Sequence, residues 1–378
     1  MSGRYVDESL LIPAGEHIQD WIDAHGMPIA EFCDRMGISR QSYNRIAKGE
    51  QPISLDTAVA LEHVTGVRAE VWLNLEAQYR IERRQLEERR KAEQEEREIK
   101  AFLDAQPIRE LIARGVFPSN MNTLPLASRL SLIFDFYGVS DMASYAATNG
   151  DCRIAARSVR GTPSAPCELS AWVHLAMREA EKVDRDIPVY DEAAFRRKLP
   201  EIVRLSAMLN DEMATVRDYL LKVKEECAKV GVAVVYVKKL KGVKRLNGVA
   251  FWLNGRRPAI ALTLHNKTVD GILFSFLHEA GHILNDRHNL LYMTDMDAEQ
   301  ERSAENFAAE IVLPARENAR VHGTRGRIGL LTSIARQLGI AVELVVGRYH
   351  YLTRQFTSPL GFKPKSISWD EIETWTLA

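Results

Sequence analysis

Two histidines and a glutamate interrupt an otherwise apolar stretch of this chain. They lie in His278-Glu279-Ala280-Gly281-His282, and the apolar residues on both sides of this segment predict a buried helix over residues 269–286. Residues four apart lie on one side of a helix, so His278 and His282 can bind one ion. Ionisable side chains on a buried helix are costly unless they are paired or coordinate a metal. The segment therefore predicts a metal site.

Glu279 is adjacent to the first of these histidines, and it can reach a water molecule at the metal without binding the metal. Zinc lowers the pKa of such a water to about 7, and a carboxylate can then take its proton. One alternative is a helix whose core histidines are simply hydrogen-bonded. Another is a structural zinc site, but closed structural sites favour four protein ligands and would leave Glu279 without a role.

A catalytic zinc needs a third protein ligand and keeps one position for water. The next predicted helix, residues 298–312, offers the carboxylates Glu301, Glu305 and Glu310. Glu301 and Glu305 share a face, whereas Glu310 lies about half a turn away from it. We favour Glu301 as the ligand and Glu305 as the group that orients a ligand histidine.

Other histidines are candidates for the cleft around the metal. His265 and His350 could stabilise an oxyanion, although a lone histidine is more often structural. Asp286 and His288 follow the motif helix too closely to turn back as ligands, but His288 could line the cleft.

Two stretches carry a family resemblance: Phe276-Leu277-His278-Glu279-Ala280-Gly281-His282-Ile283-Leu284 and Phe307-Ala308-Ala309-Glu310-Ile311-Val312-Leu313-Pro314. With Glu301 between them, they make residues 225–320 similar to the ImmA/IrrE family of metallopeptidases. The resemblance implies a gluzincin-like fold, one zinc ion, and cleavage of specific protein partners, typically transcriptional repressors. It assigns His278, Glu279 and His282 directly. Many members have acidic residues at positions 301 and 303; position 303 here is serine, which leaves Glu301.

The N-terminal region has the pattern of a helix-turn-helix. A helical stretch ends at Gly37, and Ser39 begins a second one. The second helix carries polar side chains that suit base edges and phosphates: Arg40, Gln41, Asn44, Arg45 and Lys48. Because the net charge of the chain is −1, contact with DNA requires such a local patch.

Residues 10–80 resemble the Xre-type helix-turn-helix of HigA-like antitoxins. The match includes Pro13-Ala14-Gly15-Glu16-His17 before the motif and Ala69-Glu70-Val71-Trp72-Leu73-Asn74-Leu75-Glu76-Ala77-Gln78-Tyr79 after it. A bundle that kept its shape but lost DNA binding is the alternative. A single module binds specific DNA weakly, so we expect a homodimer that spans two half-sites.

The period of the apolar residues changes along the chain. Helices are predicted over residues 126–136, 168–183 and 195–229. In the N-terminal bundle, five glycines are predicted to end helices: Gly15, Gly26, Gly37, Gly49 and Gly66. Strands are predicted over residues 232–237, 249–253 and 258–264, joined by Asn-Gly turns as a small meander.

These patterns predict a mainly α chain with a small β-sheet, an α+β fold. We divide it into a helix-turn-helix domain at 1–79, a charged helical linker at 80–100, a helical middle region at 101–224, a peptidase core at 225–320 and a helical extension at 321–378. No apolar stretch of membrane-spanning length is present, and we expect a cytoplasmic protein.

The sequence thus favours a transcriptional regulator fused to a zinc peptidase. Its expected partners are operator DNA and a protein substrate, which could be a repressor, a toxin or a copy of the chain itself. The alternative is a non-enzymatic HigA-like antitoxin or repressor whose zinc domain senses a ligand or binds a partner.

Overall fold

The computed structural model describes residues 11–149, 166–184, 187–244, 246–285, 298–354 and 362–373. Its contacts divide the chain into two compact units, Met1–Phe102 and Leu103–Ala378. The described residues are mainly helical with one small sheet, which confirms the predicted α+β class.

The first unit is a helical bundle with short connections. Its described helices are α1 (Ala14–Ala24), α2 (Ile29–Met36), α3 (Arg40–Ala47), α4 (Leu55–Thr65) and the beginning of α5 (Ala69–Asp104). Gly37 ends α2 in the left-handed conformation, and the Ser39 hydroxyl caps α3 by accepting a hydrogen bond from the Ser42 N–H. The apolar faces of the helices meet in a core that includes Ile18, Phe32, Tyr43, Leu61 and Trp72.

Gly15 is not a helix stop, and that prediction was wrong. It lies inside α1, where a Cβ atom would overlap the backbone of Ile46 and Ala47 at the end of α3. The other four glycines predicted as stops follow helices and have positive φ angles. Gly15 therefore allows α1 and α3 to approach backbone to backbone, a role that periodicity alone does not distinguish from a stop.

The charged segment at residues 80–100 continues the last helix of the bundle. α5 runs without interruption through it, and the side chains of residues 87–98 are exposed. Ion pairs four residues apart line the helix, as in Arg84–Glu88 at 3.0 Å and Arg89–Glu93 at 2.8 Å. Each such pair stabilises an exposed helix only slightly, by about 0.3–0.5 kcal/mol.

The second unit begins with helices that precede the sheet. They are α6 (Ile108–Ala113), α7 (Leu126–Tyr137), α8 (Met142–Asn149), α9 (Pro166–Asp184), α10 (Glu192–Leu205) and α11 (Val216–Ala228). The single helix predicted over 195–229 is wrong, because α10 passes into a 3-10 turn at Ser206–Asn210 and α11 starts afresh. Thr215 and Asp218 form a capping box that fixes this new start.

Three strands form one sheet within the described residues: β1 (Ala233–Tyr236), β2 (Gly248–Leu253) and β3 (Arg257–Leu262). Their order is β1-β3-β2, with β1 parallel and β2 antiparallel to β3, so the predicted meander is wrong. The tight turn at Asn254-Gly255, with φ angles of 50° and 66°, does join β2 to β3 as a hairpin. The connection from β1 to β2 spans residues 237–247, long enough to pass β3, and Gly248 is already part of β2.

The remaining helices are α12 (Val269–Asn285), α13 (Ala298–Val312), α14 (Asn318–Gly323), α15 (Ile328–Leu338), α16 (Val342–Thr353) and α17 (Trp369–Glu373). α12 is buried along most of its length in a core shared by the sheet and the helices from α10 to α17. At Gly281 the backbone of α13 comes close, because a Cβ there would lie 3.3 Å from the Cα of Ala304. This close approach sets the distance between the two helices that carry the candidate site.

Candidate functional site

Three predicted ligands come together between α12 and α13. The imidazole Nε2 atoms of His278 and His282 lie 3.1 Å apart. The carboxylate oxygens of Glu301 lie 3.4 Å from Nε2 of His278 and 3.7 Å from Nε2 of His282. One donor atom from each of the three residues therefore lies within 4.8 Å of the other two, an arrangement that could hold a metal ion.

The group lies at the border between the core and solvent. The His282 side chain is 2% exposed, that of His278 is 17% exposed and that of Glu301 is 47% exposed. A metal held here would therefore be fixed from the core side by the histidines and could be approached from the side of Glu301.

The hydrogen bond between His278 and Glu301 changes the pKa of both side chains. Burial lowers the pKa of His278, but the hydrogen bond with Glu301 and the charges of nearby carboxylates outweigh it and raise that pKa overall. The same hydrogen bond holds the pKa of Glu301 below its usual range. The two side chains thus attract each other as an ion pair, which keeps the donor atoms close together.

Glu279 is the buried carboxylate of the site. Its side chain lies in the core, where one oxygen accepts a hydrogen bond from the backbone N–H of Ala250 in β2. The other oxygen, Oε2, has no partner among the described residues. Burial raises the pKa of Glu279, and the neighbouring histidines act in the opposite direction. A buried oxygen without a partner beside a set of ligand atoms fits a site that receives a further group.

The two other carboxylates of α13 differ from Glu301. Glu305 is exposed, and the structure gives no hydrogen bond between it and either histidine in the described part of the chain, although its charge contributes to the raised pKa of His278. Its predicted role in orienting a histidine stays a prediction. Glu310 accepts a hydrogen bond of 2.9 Å from the backbone N–H of Ala315, so it closes the end of α13.

His265 is not one of the three side chains that form the candidate metal site in the described part of the chain. Its Nδ1 atom is 2.9 Å from Nζ of Lys239, and it lines a crevice together with Ile272 and Ser275. Ser275 precedes Glu279 by one helical turn, so the crevice adjoins the site along α12. His350 lies on α16 next to the ring of Tyr349, and His288 and Asp286 lie outside the described residues.

Sequence reasoning missed the part that β2 plays in the site. A Cβ at Gly248 would lie 3.1 Å from Cγ of Glu279 and 2.8 Å from a methyl carbon of Leu262. A side chain at this position would press on Leu262 and Glu279, and Ala250 two residues later supplies the N–H from which Glu279 accepts a hydrogen bond. The sequence did contain a signal for this contact, because a glycine within a strand often marks a place where another part of the chain approaches the strand closely.

The helix α3 presents the predicted polar set to solvent. Its buried side chains are Tyr43 and Ile46, which pack into the core of the bundle. The predicted DNA-contacting residues are all exposed: Arg40, Gln41, Asn44, Arg45 and Lys48. Helices of this kind lie in the major groove of DNA with their N-terminal residues on the base edges.

A comparison with family models matches residues 18–72 to a family described as helix-turn-helix. The N-terminal unit contains a helix-turn-helix. The match runs from α1 into α5, includes the turn between α2 and α3, and supports a DNA-binding regulator. It does not extend to the candidate metal ligands in the second unit.

No curated protein matches the sequence of this chain. A search of the described helices for a membrane-spanning segment finds none of sufficient length and apolar character.

Proposed function

We propose that this chain is a DNA-binding transcriptional regulator whose second unit is a zinc-dependent peptidase. The observation that carries the proposal is the approach of His278, His282 and Glu301 to one another beside the buried carboxylate of Glu279. The resemblance of residues 225–320 to the ImmA/IrrE metallopeptidases supports the same chemistry.

The donor set supports zinc in particular. Two imidazole nitrogens and one carboxylate oxygen are a usual set of protein ligands at catalytic zinc, which keeps a fourth position open. Calcium and magnesium instead prefer sites made of oxygen ligands alone. The open position is what separates a catalytic site from a closed structural one.

Zinc at this site would polarise the carbonyl of a peptide bond and lower the pKa of a water molecule to about 7. Glu279 would accept a proton from the water molecule while the oxygen of that water attacks the carbonyl carbon. When the C–N bond breaks, Glu279 would return that proton to the leaving amine. The Oε2 oxygen of Glu279 has no hydrogen-bond partner among the described residues, so it is available to take up and release this proton.

We propose that the substrate is a specific protein: a repressor, a toxin or another copy of this chain. This proposal follows from the resemblance to the ImmA/IrrE family, because the members of that family cleave selected protein partners. We also propose that α3 reads operator DNA in a homodimer, because one helix-turn-helix module gives little specific affinity.

The competing proposal is a non-enzymatic antitoxin or repressor that uses a zinc-binding domain for sensing or partner binding. The resemblance of residues 10–80 to HigA-like antitoxins favours it. It assigns no role to Glu279, whose oxygen Oε2 has no partner among the described residues and whose charge interacts with those of both candidate ligand histidines.

Metal analysis of the purified full-length chain tests the site. We expect about one equivalent of zinc per chain, since the three ligands form one group. His278→Ala/His282→Ala should abolish uptake, and Glu301→Gln should weaken it. Glu299→Gln, an exposed carboxylate change on the same helix, is the matched control and should bind zinc normally. Wild-type protein that never takes up zinc, or equal zinc binding by Glu301→Gln and Glu299→Gln, would contradict the proposed site.

A further inference from the structure

An arginine from α5 lies at the C-terminal end of α3. Nη1 of Arg83 donates a hydrogen bond of 3.4 Å to the carbonyl oxygen of Gly49. Gly49 directly follows Lys48, the residue that caps α3. Arg83 is thus 34 residues away from this carbonyl in the sequence but next to α3 in space.

The packing of α5 against this turn fixes the position of Arg83. Gly49 has a φ angle of 67°, and the place where a Cβ would stand is filled by the phenol of Tyr79. Tyr79 is buried and precedes Arg83 by one helical turn. The turn after α3 and this part of α5 therefore behave as one packed element.

Arg83 adds a third cation to one end of α3. Arg45 and Lys48 are exposed on the last turn of that helix, and the Arg83 side chain is 43% exposed. Nε of Arg83 lies 3.1 Å from a carboxylate oxygen of Glu87, and its guanidinium also bonds the Tyr79 side chain. A guanidinium has five N–H donors, so these contacts do not exhaust it.

We propose that Arg83 contacts a phosphate of the DNA backbone at the end of α3, and this rests on the proposed reading of DNA by α3. When the N-terminal residues of such a helix meet the bases, the remainder of the domain meets the sugar-phosphate chains that border the groove. A guanidinium held beside the last turn of α3 is placed for such a contact. The DNA-binding surface then extends onto α5, beyond residues 18–72 of the family match.

A purely structural role makes a different prediction. An arginine near a helix C-terminus stabilises the last carbonyls and the helix dipole without any ligand. If Arg83 did only this, its removal would lower the melting temperature of the protein and leave the electrostatics of DNA binding unchanged.

The chain offers a closely matched control. Arg84 lies on the same helix, is 81% exposed and pairs with Glu88 at 3.0 Å, much as Arg83 pairs with Glu87 at 3.1 Å. Arg84 has no contact with the turn after α3 among the hydrogen bonds and ion pairs of the described residues. Arg83→Gln and Arg84→Gln therefore remove the same charge and the same kind of ion pair, but only one of them removes the group beside α3.

The test measures the affinity of the full-length chain for a short mixed-sequence DNA duplex over a series of salt concentrations. Loss of one phosphate contact should reduce the slope of log K against log salt by about 0.9 for Arg83→Gln, whereas Arg84→Gln and Arg83→Lys should keep the wild-type slope. A wild-type slope in Arg83→Gln, with or without a lower melting temperature, would overturn the proposal, as would an equal reduction in Arg84→Gln. Wild-type protein that does not bind the duplex at all would instead refute the DNA-binding function on which the proposal rests.

Discussion

Glu279 and Glu301 are two carboxylates that meet the same histidines in different surroundings. Glu279 is 5% exposed and its pKa is raised by burial, whereas the Glu301 side chain is 47% exposed and its pKa is lowered by its hydrogen bond with His278. A carboxylate held ionised suits a metal ligand, and a buried one with a raised pKa suits proton transfer. The two environments therefore support the two roles proposed for them.

Arg40 and Gln41 give a prediction about base reading. Both are exposed in the first turn of α3, where side chains of a helix-turn-helix reach the base edges. Arg40→Ala or Gln41→Ala should lose about 1–3 kcal/mol of discrimination at one base pair. DNA sites are first selected from a randomised pool by the wild-type protein. The measurement then compares the affinities of the wild type and of each variant for these sites.

The control for base reading is Arg84→Ala on α5, which should leave the preference of the protein among these sites unchanged. If an Arg40→Ala/Gln41→Ala/Asn44→Ala triple variant prefers the selected sites as strongly as the wild type does, α3 does not read their sequence.

At the scale of single residues, the structure brings together the three side chains that the sequence proposed as metal ligands. The spacing of His278 and His282 follows from helix geometry, and Glu301 shares the exposed face of α13 with Glu305. What the sequence could not predict was the contact of Glu279 with Ala250, because that contact depends on which strand edge lies beside α12. The orientation of one element on another is not encoded in a local period.

At the scale of elements, the strongest patterns located the helices and the hairpin. α13 ends at the predicted residue, Val312, because Leu313-Pro314 ends the helix. The order of the strands was missed, since the hydrophobic pattern of β1 is the same whether it pairs with β2 or with β3. The break between α10 and α11 was missed because capping by Thr215 and Asp218 outweighed a continuous helical pattern.

Gly15 gives a prediction at this scale. A Cβ atom at this position would lie 2.6 Å from the carbonyl carbon of Ile46, so Gly15→Ala should force α1 and α3 apart. Overpacking of this kind costs about 1–3 kcal/mol. Amide hydrogen exchange of the full-length chain should show faster exchange in α1 and α3.

Gly329→Ala is the control for Gly15→Ala. Gly329 lies inside α15, and a Cβ there would meet no atom within 4 Å. This change should leave exchange in α1 and α3 unaltered and should stabilise α15 by about 0.5–1 kcal/mol. Wild-type exchange in α1 and α3 of Gly15→Ala would show that the close approach of the two backbones is not needed.

At the scale of the whole molecule, a helix-turn-helix and a candidate metal centre occur in separate compact units of one chain. Changes in one unit should therefore leave the local chemistry of the other intact. Glu279→Gln is the sharpest such change, because it keeps the size of the side chain and the three ligands while it removes the proton acceptor. Zinc content, folding and DNA binding of this variant should match those of the wild type.

The measurement that tests the peptidase proposal most directly is the quantification by mass spectrometry of new protein termini in cells that express the wild type, Glu279→Gln or His282→Ala. We expect termini that appear with the wild type and fall at least 10²-fold in Glu279→Gln, the usual cost of losing a general base, and also in His282→Ala. If Glu279→Gln produces the same termini as the wild type, or if the wild type produces none while it still regulates its target promoter, the second unit is not a peptidase and its metal serves structure or sensing.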